Sequence, residues 1–154
     1  MKKRYALLLF TLVGLLFLMV GCGGSSEPVP NIQIDEWTDT TLDQYLGKKV
    51  LMVFWNTTCA PCIGELPIIQ QVYDKNLKDT VILQIGVGDI NTMKKYAAQY
   101  KFKFLNDSKQ VAFGKYKLTG TPTSVFLGKD GKEVTRKLGA DTVDFYVKTL
   151  NQIP

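Results

Sequence analysis

The sequence predicts an α/β fold, a three-layer α/β/α sandwich around a central mixed β-sheet. Three observations lead there. Two apolar runs of strand length, Val50 to Trp55 and Val81 to Val87, are each followed by apolar residues at helical spacing, so the first half alternates strand and helix. Such alternation implies parallel pairing with right-handed crossovers. The second half ends differently: Thr123 to Leu127 and Lys132 to Leu138 flank the turn Lys129-Asp130-Gly131 and read as an antiparallel hairpin before a last helix.

From the N-terminus, Lys2, Lys3 and Arg4 precede an apolar run from Tyr5 to Val20. That run is short for a membrane-spanning helix and has the layout of a secretory signal. Its end, Leu18-Met19-Val20-Gly21-Cys22, resembles the lipobox of bacterial lipoproteins, in which a small residue precedes a cysteine that takes diacylglycerol and becomes the mature N-terminus. Met19 departs from the leucine usual there. The resemblance implies a signal peptide over residues 1–21 and lipidation at Cys22. The competing reading is an ordinary signal or uncleaved anchor with Cys22 incidental. Either way the domain lies outside the cytoplasm, tied to a membrane. Residues 22–31, rich in Gly, Ser and Pro, read as a flexible tether. The folded domain is assigned to residues 32–154.

Within the domain, Ile32 to Ile34 alternates like a short strand, and Thr41 to Leu46 reads as a helical turn stopped by Gly47. Val50 to Trp55 is continuous enough for a strand buried on both faces. Ile63, Leu66, Ile69 and Val72 repeat at helical spacing, and Pro67 is expected to kink that helix. Asn91 is a candidate cap for a helix carrying Met93, Tyr96, Ala97 and Tyr100. Val111 to Tyr116 is a short helix candidate. Asp141 is a candidate cap for the last helix, with Val143, Tyr146, Val147 and Leu150 on one face. Tyr96, Tyr100, Phe102 and Phe104 read as core and rim, not as a cofactor site.

The 154 residues carry 19 Lys+Arg, 14 Asp+Glu and no His. Three of the basic residues lie in the signal segment, which leaves about +2 and no basic patch, so nucleic acid is excluded as a partner. The absence of His removes Ser–His and Cys–His catalysis and most zinc sites. What remains is Cys59-Ala60-Pro61-Cys62, where the first strand meets its helix. Two thiols three apart at a helix start lie on one face, near enough to bridge. The first thiol meets unpaired backbone N–H groups and the positive end of the helix dipole, which favour a thiolate. A structural disulfide or half a zinc site are the alternatives. Once Cys22 is assigned to lipid only this pair remains, and nothing completes four ligands.

These residues resemble the thioredoxin fold, and more narrowly the membrane-anchored TlpA/ResA-type thiol:disulfide oxidoreductases. The resemblance rests on Phe54-Trp55, Cys59-Ala60-Pro61-Cys62, Glu65-Leu66-Pro67, Phe104-x-x-Asp107, Gly120-Thr121-Pro122-Thr123 and the Lys129-Asp130-Gly131 turn followed by Gly139. It implies a thioredoxin-like sandwich, Cys59 as nucleophile, Cys62 as resolving thiol, and Glu65 as the carboxylate that exchanges a proton with Cys62. The bland reading of Glu65 is an exposed acid complementing the helix N-terminus. Pro122 is implied to follow a cis bond, with Thr121 and Pro122 forming the substrate wall opposite the dithiol; the alternative is an edge-strand proline. Trp55 packs beneath the active-site turn or lends an edge to the substrate groove, which Thr58 also borders. Two departures stand out: thioredoxins carry Trp where this chain has Thr58, and cytoplasmic thioredoxin has a buried Asp where this chain has Val53.

The function implied is an extracytoplasmic reductant of protein disulfides, apocytochrome c among them. It would be supplied with electrons by an integral-membrane thiol donor, act as a monomer, and need no cofactor or metal. Two competitors are a thiol peroxidase of the peroxiredoxin type and an anchored binding module without turnover. The first wants Pro-x-x-x-Thr-x-x-Cys, of which Asn56-Thr57-Thr58-Cys59 supplies only fragments.

Overall fold

A computed structural model describes residues 42–154. The expected signal segment, Cys22, the expected tether, the strand expected at Ile32 to Ile34 and the start of the helical turn at Thr41 lie outside the described residues. A 3-10 turn, Leu42–Tyr45, leads into β1 (Lys49–Asn56), α1 (Ala60–Asp74), β2 (Thr80–Val87) and α2 (Ile90–Ala97). There follow β3 (Lys103–Asn106), α3 (Val111–Lys115), β4 (Thr123–Leu127), β5 (Glu133–Leu138) and α4 (Val143–Gln152).

The strands form one sheet in the order β3-β2-β1-β4-β5. β1, β2 and β3 are parallel, while β4 runs antiparallel to β1 and β5 antiparallel to β4. This is the mixed sheet expected. Val50 to Trp55 sits centrally and is buried throughout, which is why it reads as an unbroken apolar run. Its alternate residues serve two cores. Leu51, Val53 and Trp55 face α1, α2 and α4; Val50, Met52 and Phe54 face the thinner layer of the 3-10 turn and α3. The sheet is thereby the middle of three layers.

Several boundaries differ from the sequence-based expectation. β3 has no counterpart in that expectation: it has four residues, begins with an exposed Lys103, and among the described residues pairs with β2 alone. Its Phe104, read as core, is core. α2 is capped by Asp89, not Asn91, with the Asp89 carboxylate accepting the Thr92 N–H at 2.7 Å. α4 is capped by Thr142, whose Oγ1 accepts from the Phe145 N–H at 3.2 Å; Asp141 instead accepts from the Thr142 N–H. In both helices two polar residues compete for one cap, and the backbone angle of the entering chain decides between them. α1 continues through Pro67, whose missing N–H leaves the Ile63 carbonyl without its helical donor. Asp107 gains a role from the fold: its two oxygens accept from the Val111 and Phe113 N–H groups, starting α3.

Gly86 marks the tightest crossing. It lies between Trp55 and Asn106 in the register, and a Cβ there would come 2.6 Å from Trp55 Nε1 and 2.7 Å from Met93 Cε. Both neighbours are fully buried and cannot withdraw. Gly86→Ala is therefore expected to cost about 1–3 kcal/mol, read as a lower urea midpoint with an unchanged slope.

Candidate active site

The chain leaves β1 through Asn56-Thr57-Thr58, a turn held from both sides. Asn56 Oδ1 accepts from the Thr58 N–H at 2.9 Å and from its hydroxyl at 2.8 Å, and the Cys59 N–H donates to Asn56 O at 3.0 Å. Thr57 is buried and ties the turn to the end of β2: its N–H donates to Val87 O, and its Oγ1 accepts from the Asp89 N–H at 3.0 Å. Gly88, at φ 116°, passes directly over the Thr57 hydroxyl, where no side chain fits. The first cysteine is thus delivered to the N-terminus of α1 by two fixed strands.

Cys59 caps α1 and is joined to Cys62 by a disulfide, with Cα atoms 5.2 Å apart. The Cys62 N–H points at Cys59 Sγ from 3.2 Å. When the bond is reduced, that amide and the helix dipole are in place to stabilise a Cys59 thiolate. Cys59 is half-buried and Cys62 fully buried, so only the first sulfur can be reached from outside. The opposite wall is the loop before β4. The Thr121–Pro122 bond is cis, and Thr121 O lies 3.6 Å from Cys59 Sγ. Gly139 N–H donates to Pro122 O at 2.8 Å and the Thr123 hydroxyl to Gly120 O at 2.7 Å, which fastens the loop to β5 and to itself.

Glu65 is fully buried. Helical spacing puts it one turn beyond Cys62, and the reading of an exposed surface acid does not apply. Tyr146 of α4 donates to its Oε1. Burial pushes the Glu65 carboxyl above the ordinary range, and the Tyr146 hydrogen bond partly offsets that rise. A carboxyl group raised by folding binds more protons in the native than in the unfolded state. Stability is then full below the unfolded-state value and declines as pH rises through the folded-state one. Urea midpoints of the oxidised protein are expected to fall over this window, and Glu65→Gln to remove the decline.

Trp55 requires a correction. Its ring is fully buried, packed edge-on against Tyr96 and Phe104, and offers no edge to a substrate groove. Thr58 is exposed beside Cys59, with its hydroxyl turned back to Asn56. The structure therefore brings Cys59, Cys62, Glu65, Thr58, Thr121 and Pro122 to one end of the sheet and places Trp55 beneath them. Tyr146 and Ser124 were missed. Helical spacing marks Tyr146 only as one more apolar position, and the one hint for Ser124 is a polar residue inside the apolar run Thr123 to Leu127. Among the described residues no group of three or more His, Cys, Asp or Glu could hold a metal ion.

The AhpC/TSA family model matches residues 26–135. The chain belongs to the AhpC/TSA family. Within it, the chain is 35% identical over 101 residues to the thiol-disulfide oxidoreductase ResA of Bacillus thuringiensis, a match covering 62% of this chain and 58% of the relative, which is less than two thirds of that protein. It is 27% identical over 158 residues to the sporulation thiol-disulfide oxidoreductase A of Bacillus subtilis, covering 94% of each. Among solved structures, it is similar to the exposed lipoprotein thioredoxin of Streptococcus pneumoniae, with a TM-score of 0.66 and 25% identity over 74% of this chain and 91% of that one. The family match thus includes the whole dithiol site and both of its walls.

Proposed function

We propose that this protein is an extracytoplasmic thiol:disulfide oxidoreductase that reduces protein disulfides through Cys59 and Cys62. The observation that carries the reading is the disulfide itself: an accessible Cys59 at a helix N-terminus, joined to a buried Cys62 whose own N–H addresses the first sulfur. In the reduced protein the Cys59 thiolate attacks one sulfur of a substrate disulfide, and the other leaves as a thiolate. Cys62 then gives its proton to Glu65, and its sulfur attacks Cys59 Sγ. The second substrate sulfur leaves, and the Cys59–Cys62 disulfide is restored. Thr121 and Pro122 line the groove in which an extended substrate segment lies, and Thr58 borders it where a bulkier residue would narrow access.

Each turnover consumes two electrons. Oxidising surroundings do not return them, so a reductase there needs a dedicated dithiol donor, which we place in the membrane. Anchoring through a lipidated Cys22 fits such a donor, and the names of the relatives above support both the chemistry and the lipoprotein reading. The substrate class is an oxidised Cys pair in an extended protein segment, with the haem-binding pair of apocytochrome c the first candidate, engaged by a monomer. A peroxidase reading gains nothing from the geometry. It wants an arginine at the nucleophile, and Arg136, the sole arginine among the described residues, is paired on β5 with Glu133 and Tyr116 O.

The test is a Cys62→Ala variant expressed in the native host. It is expected to accumulate mixed disulfides between Cys59 and extracytoplasmic Cys-pair proteins. A variant that captures none while wild type remains active would reject the reading, and rapid oxidation of Cys59 by peroxide would favour the peroxidase instead.

A further inference from the structure

The assignment of Glu65 as proton acceptor for Cys62 leaves open which carboxyl oxygen acts, and the two have different surroundings. Ser124 Oγ on β4 donates to the Tyr146 hydroxyl at 3.3 Å, and that hydroxyl donates to Glu65 Oε1. Ser124, Tyr146 and Glu65 are all fully buried. Oε2 is buried as well and has no hydrogen-bond partner among the described residues. A tyrosine hydroxyl has one proton to donate. Spent on Oε1, it obliges Ser124 to be the donor to the tyrosine oxygen, so the chain of donors runs in one direction from β4 to α1. A proton arriving on Oε1 would compete with the Tyr146 hydroxyl for that oxygen; one arriving on Oε2 leaves both bonds as they are.

We propose that Tyr146, held by Ser124, is a positioning residue that occupies Oε1 of Glu65 and presents Oε2 to the Cys62 proton. The inference rests on the reading of Glu65 given above. In the resolving step the Cys62 S–H bond breaks and its proton passes to Oε2. The sulfur's electron pair forms the bond to Cys59 Sγ, and the bond from Cys59 to the substrate sulfur breaks, with the pair leaving on the substrate thiolate. Reduction by the dithiol donor runs the proton back the same way.

The other groups that bear on Glu65 are few. α1 supplies Cys59 and Cys62 themselves. The segment before α4 supplies Asp141, whose backbone amide lowers and whose carboxylate raises the Glu65 carboxyl, and that carboxylate is bridged at 3.3 Å to Lys137 of β5. β1 carries Lys49 at the far end of this sheet face, where Nζ bonds Leu150 O. Tyr96 of α2 packs on Trp55. β2 contributes the neutral Gln84, buried with neither amide atom partnered among the described residues. Among the described residues, Tyr146 is therefore the one side chain whose hydrogen bond holds this carboxylate.

The experiment follows the Glu65 carboxyl by carbon-13 NMR in the oxidised protein, where neither thiol titrates, with Glu65→Gln to assign the signal. Tyr146→Phe is expected to move the midpoint upward by about one pH unit, because it removes a donor from the anion, and Ser124→Ala to move it the same way by less. In the reduced protein, decay of the mixed disulfide should slow about fivefold in Tyr146→Phe, with the same upward shift in its pH profile. A structural tyrosine would lower the unfolding midpoint and leave the carboxyl titration where it was. Midpoints unmoved in Tyr146→Phe, or in Ser124→Ala should the first variant not fold, overturn the proposal. If Glu65→Gln resolves mixed disulfides with the wild-type pH profile, the reading of Glu65 itself fails. If Glu65→Gln loses that profile and the other two variants keep it, only the positioning role fails.

Discussion

Cys59→Ser is expected to lose at least about a thousandfold in the rate of reduction of a model protein disulfide, measured with a dithiol donor in excess. The reason is chemical, since the helix N-terminus and the Cys62 N–H at 3.2 Å that can hold a thiolate cannot ionise a serine hydroxyl near neutral pH. Cys62 cannot substitute for it, being fully buried behind Cys59. Cys62→Ser should behave differently: first attack proceeds and the mixed disulfide accumulates. The contrast separates turnover from mere binding. If a Cys59→Ser strain retained full cellular function, the groove would be serving as a binding module, and the oxidoreductase reading would not survive.

Trp55→Ala is expected to be the most destabilising substitution near the site, at about 3–5 kcal/mol, or a fall in Tm of more than about 10 °C by calorimetry. The indole is fully buried and meets Tyr96 and Phe104 edge-on, each with ring centroids 5.8 Å away. Gly86 lies beneath it with no side chain to fill the void. Among the described residues Nε1 has no hydrogen-bond partner, so the cost is one of packing. Trp55→Phe should accordingly recover more than half of it. A loss under about 1 kcal/mol in the alanine variant would show that this core can collapse around the gap.

Much of this was legible before the fold was known. The strand Val50 to Trp55, the helix after it and the terminal hairpin follow from periods of two and 3.6 within short windows, where the pattern and the burial that causes it coincide. β3 was not legible, because four residues beginning with lysine make no period. The caps of α2 and α4 were displaced by one or two residues, because adjacent polar residues look alike until the backbone angle selects one. Glu65 was recognised but not its burial, since its sequence neighbours suit an exposed helix start equally well. Trp55 is legible as a residue packing beneath the active-site turn, but only the fold excludes the alternative of an edge at the groove.

By itself, then, the sequence determined the dithiol: two cysteines three apart at a strand-to-helix junction, with no histidine to draw them into other chemistry. That arrangement is local and survives any packing of the rest. Tertiary structure alone decided what surrounds it. Glu65 and Tyr146 stand 81 residues apart and meet because α1 and α4 share one face of the sheet. Ser124 reaches them because β4 pairs with β1. Partners so distant leave no periodic trace in the chain, as their contact is set by how layers stack and not by how any one segment folds.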